Sequence, residues 1–257
     1  MFEVTVPQIY AWIAQYFYPF CRIAAFFTLL PILSTQLVSQ RVRLGLASAI
    51  TLLLAPLMPP VPVMELLSVQ SFFIISQQIL IGMAMAFVMQ MLFQVFVIGG
   101  QAVAMQNGLG FATLVDPVNG VSVASISQAY LMTVNLLFFT LNGHLAVFQL
   151  LADSFQWLPV SAEGIAMDNY YELVLHGSWM FTGALMVALP STISLLVVNL
   201  AFGVIARVAP QMNIIAIGFP FTMVMGLIII WLTLANLLPQ YENLSAEAFE
   251  FMSGMVR

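Results

Sequence analysis

The sequence predicts an all-α, polytopic membrane protein of about six long apolar helices, on three observations. The 257 residues include no lysine, and charged side chains make up 6% of them, against about a quarter in ordinary soluble domains. Apolar residues make up 62% of the chain, and the mean hydropathy is +1.05. From Leu66 to Val115, fifty consecutive residues carry no charge. A soluble domain of this length could not cover its surface with so few charges, so its solvent is lipid, protein or both. Backbone in lipid must satisfy its own hydrogen bonds, which makes helix the expected state.

Apolar segments fall at about 9–31, 44–58, 72–98, 127–151, 174–199 and 213–238. Each approaches or exceeds the roughly 20 residues that cross ~30 Å of hydrocarbon, except the shorter second one. Pro31, the prolines at 56, 59, 60 and 62, the pair Gly99-Gly100, Pro159, Pro210 and Pro239 punctuate the stretches between them. Met1-Phe2-Glu3 offers no basic n-region, so the first segment is expected to stay in the mature chain. Arg41 and Arg43 lie in the first loop and Arg207 in the last. If those loops are cytoplasmic, six spans put both termini outside. Arg22 sits near the middle of the first span, where insertion scales charge ~2.5–3.5 kcal/mol. Either its side chain snorkels to the interface, or its helix faces a protein partner or aqueous channel that accepts the charge.

Several function classes are excluded. One cysteine, Cys21, allows no intrachain disulfide and no multi-cysteine metal site. The net charge of −5 arises from scattered acids and leaves no basic face for nucleic acid. No H-E-x-x-H, no G-x-S-x-G and no pair of intramembrane aspartates occurs, so enzyme activity is not expected. Neither a metal nor a cofactor is expected.

The stretch from Gly99 to Gly120 is too polar and glycine-rich for a lipid-facing helix and too apolar for a free loop. Gly108 and Gly110 permit turns closed to other residues, and Asp116-Pro117 favours a helix stop or turn. Non-helical backbone at membrane depth survives inside protein or along a water-filled cavity. The segment therefore reads as a re-entrant loop lining a passage, or as an ordinary connector with a hydrophobic tip.

Gln106 to Pro117, with Gly108, Phe111, Ala112 and Asp116-Pro117, resembles the signature of the FliR/SctT family of type III secretion export gates. Asn142-Gly143-His144-Leu145 resembles a second family pattern. Ala188-Leu189-Pro190, Asn199 to Gly203, Arg207 to Asn213 and Ile217 to Pro220 resemble a long C-terminal one, and Arg41-Val42-Arg43 fits the N-terminal part. The sequence departs from the family at Asn107, where methionine is more frequent.

The resemblance implies a core subunit of the flagellar protein export gate in the bacterial inner membrane at the basal body. It implies assembly with FliP and FliQ into a hetero-oligomeric pore, contact with FlhB on the cytoplasmic side, and unfolded export substrates passing through. Residues 1–172 are then a FliP-like helical region containing a pore-facing loop at 99–126. Residues 173–239 are a FliQ-like helical hairpin, and 240–257 an amphipathic tail with Leu244, Ala248, Phe251 and Met255 on one face. The helices would be buried largely against neighbouring subunits and held partly above the bilayer plane.

On that basis the candidate gate loop comprises Gln106, Gly108, Leu109, Gly110, Phe111, Leu114, Val115, Asp116 and Pro117. Its apolar tip would block ions by dewetting; alternatively Phe111 packs within its own loop and Asp116 closes a turn. Arg22, Arg41, Arg43, Arg207, Pro210 and Gln211 are candidates for subunit contact or the cytoplasmic entrance. The alternative function is a secondary transporter or stand-alone channel with a broken-helix site at Gly108–Asp116.

Overall fold

The computed structural model describes residues 6–35, 38–61, 68–110, 113–115, 122–162, 164–208 and 214–257. The described chain is helical apart from one two-stranded hairpin: α1 (Val6–Leu29), α2 (Gln40–Leu54), α3 (Val69–Gln106), β1 (Thr113–Val115), β2 (Ser122–Ala124), α4 (Ser125–Thr140), α5 (Gly143–Trp157), α6 (Met167–Leu175), α7 (Gly177–Val208), α8 (Ile214–Thr233) and α9 (Leu237–Met255). It divides into two compact units, one of residues 1–90, 141–176 and 247–257, the other of 91–140 and 177–246.

The expectation of an all-α chain with several apolar spans is met, and the count of about six is met in part. Among the described residues three helical stretches, 69–106, 167–208 and 220–255, are long and apolar enough to cross a membrane, and a fourth counts if α4 and α5 form one bent span. The segment expected at 127–151 bends by 67° between those helices, because Asn142 adopts a left-handed backbone, φ 58°, ahead of Gly143. The polar side chains of α1 are the physical reason that it falls outside the set: they serve the interior of the first unit. At 15 residues, α2 is too short.

In the first unit α1 buries Ala14, Tyr18, Arg22, Ile23, Phe26 and Phe27, a spacing of three and four residues that makes one helical stripe. Gln15 donates from Nε2 to the Ala55 carbonyl (2.9 Å) and accepts the Val61 amide at Oε1 (3.3 Å), tying down the end of the α2 arm. The Tyr18 hydroxyl meets Ser71 Oγ on α3 at 2.8 Å, and Phe27 packs edge-on against Phe148 of α5. The C-terminal part of α9 is held here too: Asn169 Nδ2 donates to the Met255 carbonyl at 3.0 Å, and Phe251 stacks on His176 with centroids 3.7 Å apart.

Arg22 is 0% exposed. Its Nε donates to Gln78 Oε1 of α3 at 2.8 Å. One terminal nitrogen donates to the Ser154 carbonyl (3.0 Å) and hydroxyl (3.1 Å), and the other to the Leu158 carbonyl (2.8 Å). The guanidinium also lies 4.2 Å from the centre of the Phe155 ring. Each of these oxygen acceptors is uncharged, and two are carbonyls at the C-terminal end of α5, where the helix dipole favours a cation. Arg22 therefore does not snorkel: its donors are used on the chain's own helices. Gly82 sits beneath it, where a Cβ would collide with the Arg22 carbonyl, so α1 and α3 approach backbone to backbone.

The second unit takes over α3 from Met91 onward. It buries Leu92, Val95, Phe96, Val103 and Ala104 of α3 with Tyr130, Val134 and Phe138 of α4 and Val187 and Leu195 of α7. Phe93 meets Phe138 edge-on at 5.6 Å, and Phe96 lies 6.1 Å from Tyr241 of α9. Helices α7 and α8 pair through Ser191 and Thr233, whose hydroxyls are 2.8 Å apart, and through Phe202 against Phe221.

Gly99 and Gly100, expected to break the third segment, lie inside α3 instead. A Cβ on Gly100 would stand 2.7 Å from Ser127 Cα of α4, and one on Gly99 would stand 3.0 Å from the Ala184 carbonyl of α7. The pair is a packing notch, which lets α3 run on to Gln106. Met85, Met89 and Met91 of α3 are buried within the chain, as ordinary helix packing requires.

Arg22→Met strands the Gln78, Ser154 and Leu158 oxygens without donors and is expected to destabilise the fold by about 3 kcal/mol or more. Arg22→Lys keeps the charge but not the forked geometry, so it recovers only part of that loss. Melting temperatures in detergent check the order wild type, lysine, methionine; equal values for all three would remove the capping role.

Candidate functional site

Helix α3 ends in a specific cap. The Gly108 amide donates to the Met105 carbonyl (3.2 Å) and the Leu109 amide to the Ala104 carbonyl (2.9 Å), while Gly108 has φ 74°. This is the Schellman arrangement with glycine at the left-handed position beyond the helix. Two otherwise orphaned carbonyls are satisfied without water, and the chain turns sharply off the helix axis.

The chain then folds back on itself. Strands β1 and β2 are antiparallel, with Thr113 opposite Ala124, Leu114 opposite Val123 and Val115 opposite Ser122. Of the candidate gate residues, Gln106 closes α3, Gly108 forms its cap, Leu109 and Gly110 follow it, and Leu114 and Val115 lie in β1. Phe111, Asp116 and Pro117 lie outside the described residues.

Two side chains outside the candidate set bear on this region. Gln101, half-buried on α3, accepts at Oε1 both the Ala124 amide (3.0 Å) and the Ser127 hydroxyl (3.2 Å). The Ala124 amide is at the very start of α4, where the first N–H groups of a helix lack intrahelical partners. Gln101 thus caps α4 from a neighbouring helix. Its signal in the sequence is a polar residue directly after Gly99-Gly100 in a helix of few polar residues. A small cavity of about 140 Å³ lies between Gln101, Met105, Gly108 and Gly110.

The second is Asn107. It is 3% exposed, and neither its Oδ1 nor its Nδ2 has a hydrogen-bond partner. It packs against Gly226 of α8, where a Cβ would collide with its amide. A buried amide without partners costs about 1–3 kcal/mol, a penalty methionine would not carry.

The remaining arginines fall in separate places. Arg41 and Arg43 occupy the first turn of α2 in the first unit; Arg41 is exposed, and Arg43 Nη2 donates to the Thr35 carbonyl. Arg207 is exposed in the last turn of α7 in the second unit, where its charge complements the helix dipole. Pro210 and Gln211 lie outside the described residues. Among the described residues no three His, Cys, Asp or Glu side chains cluster to hold a metal.

The sequence pattern of the bacterial export proteins, family 1, matches residues 13–248. The chain is 38% identical over 258 aligned residues to flagellar biosynthetic protein FliR of Escherichia coli (strain K12), an alignment spanning 100% of this chain and 98% of that protein. It is 37% identical over 245 residues to flagellar biosynthetic protein FliR of Pectobacterium carotovorum subsp. carotovorum, spanning 95% and 94%. It is 25% identical to that of Bacillus subtilis (strain 168), spanning 92% of both chains.

Two substitutions separate the cap from the amide. Gly108→Ala forces a Cβ into the left-handed region and is expected to lower stability by about 1 kcal/mol. Asn107→Met removes the orphaned amide and is expected to raise it by up to about 1–3 kcal/mol. Both are read as melting-temperature shifts in detergent, with opposite signs expected.

Proposed function

This chain belongs to family 1 of the bacterial export proteins, and on that premise we propose that it is a core subunit of the flagellar type III protein export gate. In this reading it assembles with FliP and FliQ in the inner membrane at the basal body, with FlhB on the cytoplasmic side. Unfolded flagellar proteins pass through the pore so formed. The curated relatives are named as flagellar biosynthetic proteins rather than as enzymes, and the chain's role is that of a transport component.

The observation that carries the assembly is an imbalance of burial. Within the chain's own fold, 72% of the apolar window in 69–106 is buried, against 22% in 167–208 and 17% in 220–255. The long apolar faces of α7 and α8 therefore need covering by lipid or by other subunits. Gly203 of α7 meets nothing within the chain and suits close approach by a neighbouring helix. Residues 173–239 would serve as the FliQ-like hairpin at the rim, and the hairpin region 106–120 as the closure of the pore.

The test is the native mass of the tagged chain after co-expression with FliP and FliQ from the same genome and purification in mild detergent. One large complex holding all three is expected; a lone monomer or homo-oligomer, with FliP and FliQ assembling without it, would overturn the assignment. Deleting Leu109 to Val115 is expected to leave that complex intact and make the membrane leak small ions, and an unchanged ion tightness would count against closure by this region.

A further inference from the structure

We propose that the groove between α1 and α2 is a lipid site, which takes an acyl chain of an anionic phospholipid and holds the phosphate at Arg41. The groove has a volume of about 530 Å³ and is walled by Trp12, Phe17 and Phe20 of α1 and by Ser48, Thr51 and Leu52 of α2. Two of these residues carry hydroxyls, yet neither donates into the groove. Ser48 donates to the Leu44 carbonyl at 2.8 Å and Thr51 to the Ala47 carbonyl at 2.7 Å. A polar ligand would lose its water here without gaining those bonds in return. A hydrocarbon chain has no such bonds to lose. It also covers apolar surface that the chain itself leaves open, with Trp12 72% and Leu52 63% exposed.

The charge at one end of the groove distinguishes a phospholipid from other apolar occupants. Arg41, Gly45, Ser48 and Leu52 succeed one another at spacings of four and three residues, so they share a face of α2. Gly45 has open space where a side chain would stand, which leaves the way from the groove to the exposed Arg41 clear. Arg41 and Arg43 both stand in the first turn of α2, where the helix dipole disfavours a cation, and an anion bound there offsets that penalty. Residues 4–64 hold three arginines and no Asp or Glu, so no acid lies nearby in sequence to neutralise them. Helices α1 and α2 are antiparallel, with Gln15 bonded to the Ala55 carbonyl beyond α2, so Trp12 marks the end of the groove farther from Arg41. At 1.5 Å per residue the near end lies about 10 Å from Arg41 and the far end about 20 Å. That interval brackets the ~15 Å of hydrocarbon in one leaflet. By the positive-inside tendency the loop carrying Arg41 and Arg43 is cytoplasmic, and that leaflet carries the anionic headgroups. A helix from another subunit would have to bring a carboxylate to Arg41 and an apolar face to the groove at once. A phospholipid combines both by its constitution.

The experiment places a photoreactive benzoylphenylalanine at Phe17 of the full chain, co-expressed with FliP and FliQ and reconstituted into vesicles of equal phosphatidylglycerol and phosphatidylcholine. After irradiation, mass spectrometry of the labelled peptide identifies the occupant of the groove. Lipid adducts are expected, with phosphatidylglycerol exceeding phosphatidylcholine severalfold. Arg41→Gln is expected to bring that ratio to about one while lipid labelling persists, whereas Arg41→Lys keeps a preference because lysine also binds phosphate as a point charge. A label on another subunit, on a second copy of this chain or on nothing overturns the site. Adducts without a preference in the otherwise unaltered chain, or a preference that Arg41→Gln leaves intact, overturn it as well. The labelling is read on whichever form of the chain enters the vesicles, so a failure to assemble with FliP and FliQ would sink the export-gate reading and leave this test standing.

Discussion

A helix that ends inside an apolar interior leaves backbone groups that water cannot reach, and nearly every polar side chain of consequence in this chain answers that constraint. Arg22 donates to the Ser154 and Leu158 carbonyls at the end of α5. Gln101 accepts the Ala124 amide at the start of α4. Gln15 serves the Ala55 carbonyl and the Val61 amide beyond α2, and α3 closes itself through Gly108. In a soluble protein Ser, Asp or Asn within the same helix would do this work. Here the caps come from long side chains on a neighbouring helix, so capping and packing are one interaction: the helices stay adjacent because each finishes the other.

The same economy explains how so few charges suffice. The arginine within the first unit's interior is held by a helix C-terminus, an amide, a hydroxyl and the Phe155 ring. Glycine does the complementary job. Gly82, Gly99 and Gly100 bring backbones into contact where a side chain would hold them apart, and each contact sits next to one of the polar caps. The apolar faces of α7 and α8 carry no such internal closure. They are where the chain's own interactions stop and those of lipid or other subunits begin.

Much of this was legible in the sequence. Apolar stretches with few charges announced helices in the right places, and the glycines of residues 106–110 announced the turn that ends α3. What could not be read was long-range pairing. Nothing near Arg22 shows that its partners lie 132 and 136 residues away, so the residue looked like a misfit in lipid or a contact for another protein. Asn142-Gly143 was visible as a motif, but not that its left-handed residue turns one expected span into two bent helices. Gly99-Gly100 reads as a breaker when each residue is judged by its own freedom and as a notch once the facing helix is known. Gln101 escaped notice because an amide on an apolar helix gains meaning only from the amide that it caps.

The claim that helix ends are closed by neighbouring helices is tested most directly by hydrogen exchange at the Ala124 amide of the protein in mild detergent. Exchange slowed to the level of the α4 interior is the result this account predicts. Exchange as fast as that of an exposed loop would contradict it, because the α4 terminus would then be solvated and Gln101 would cap nothing.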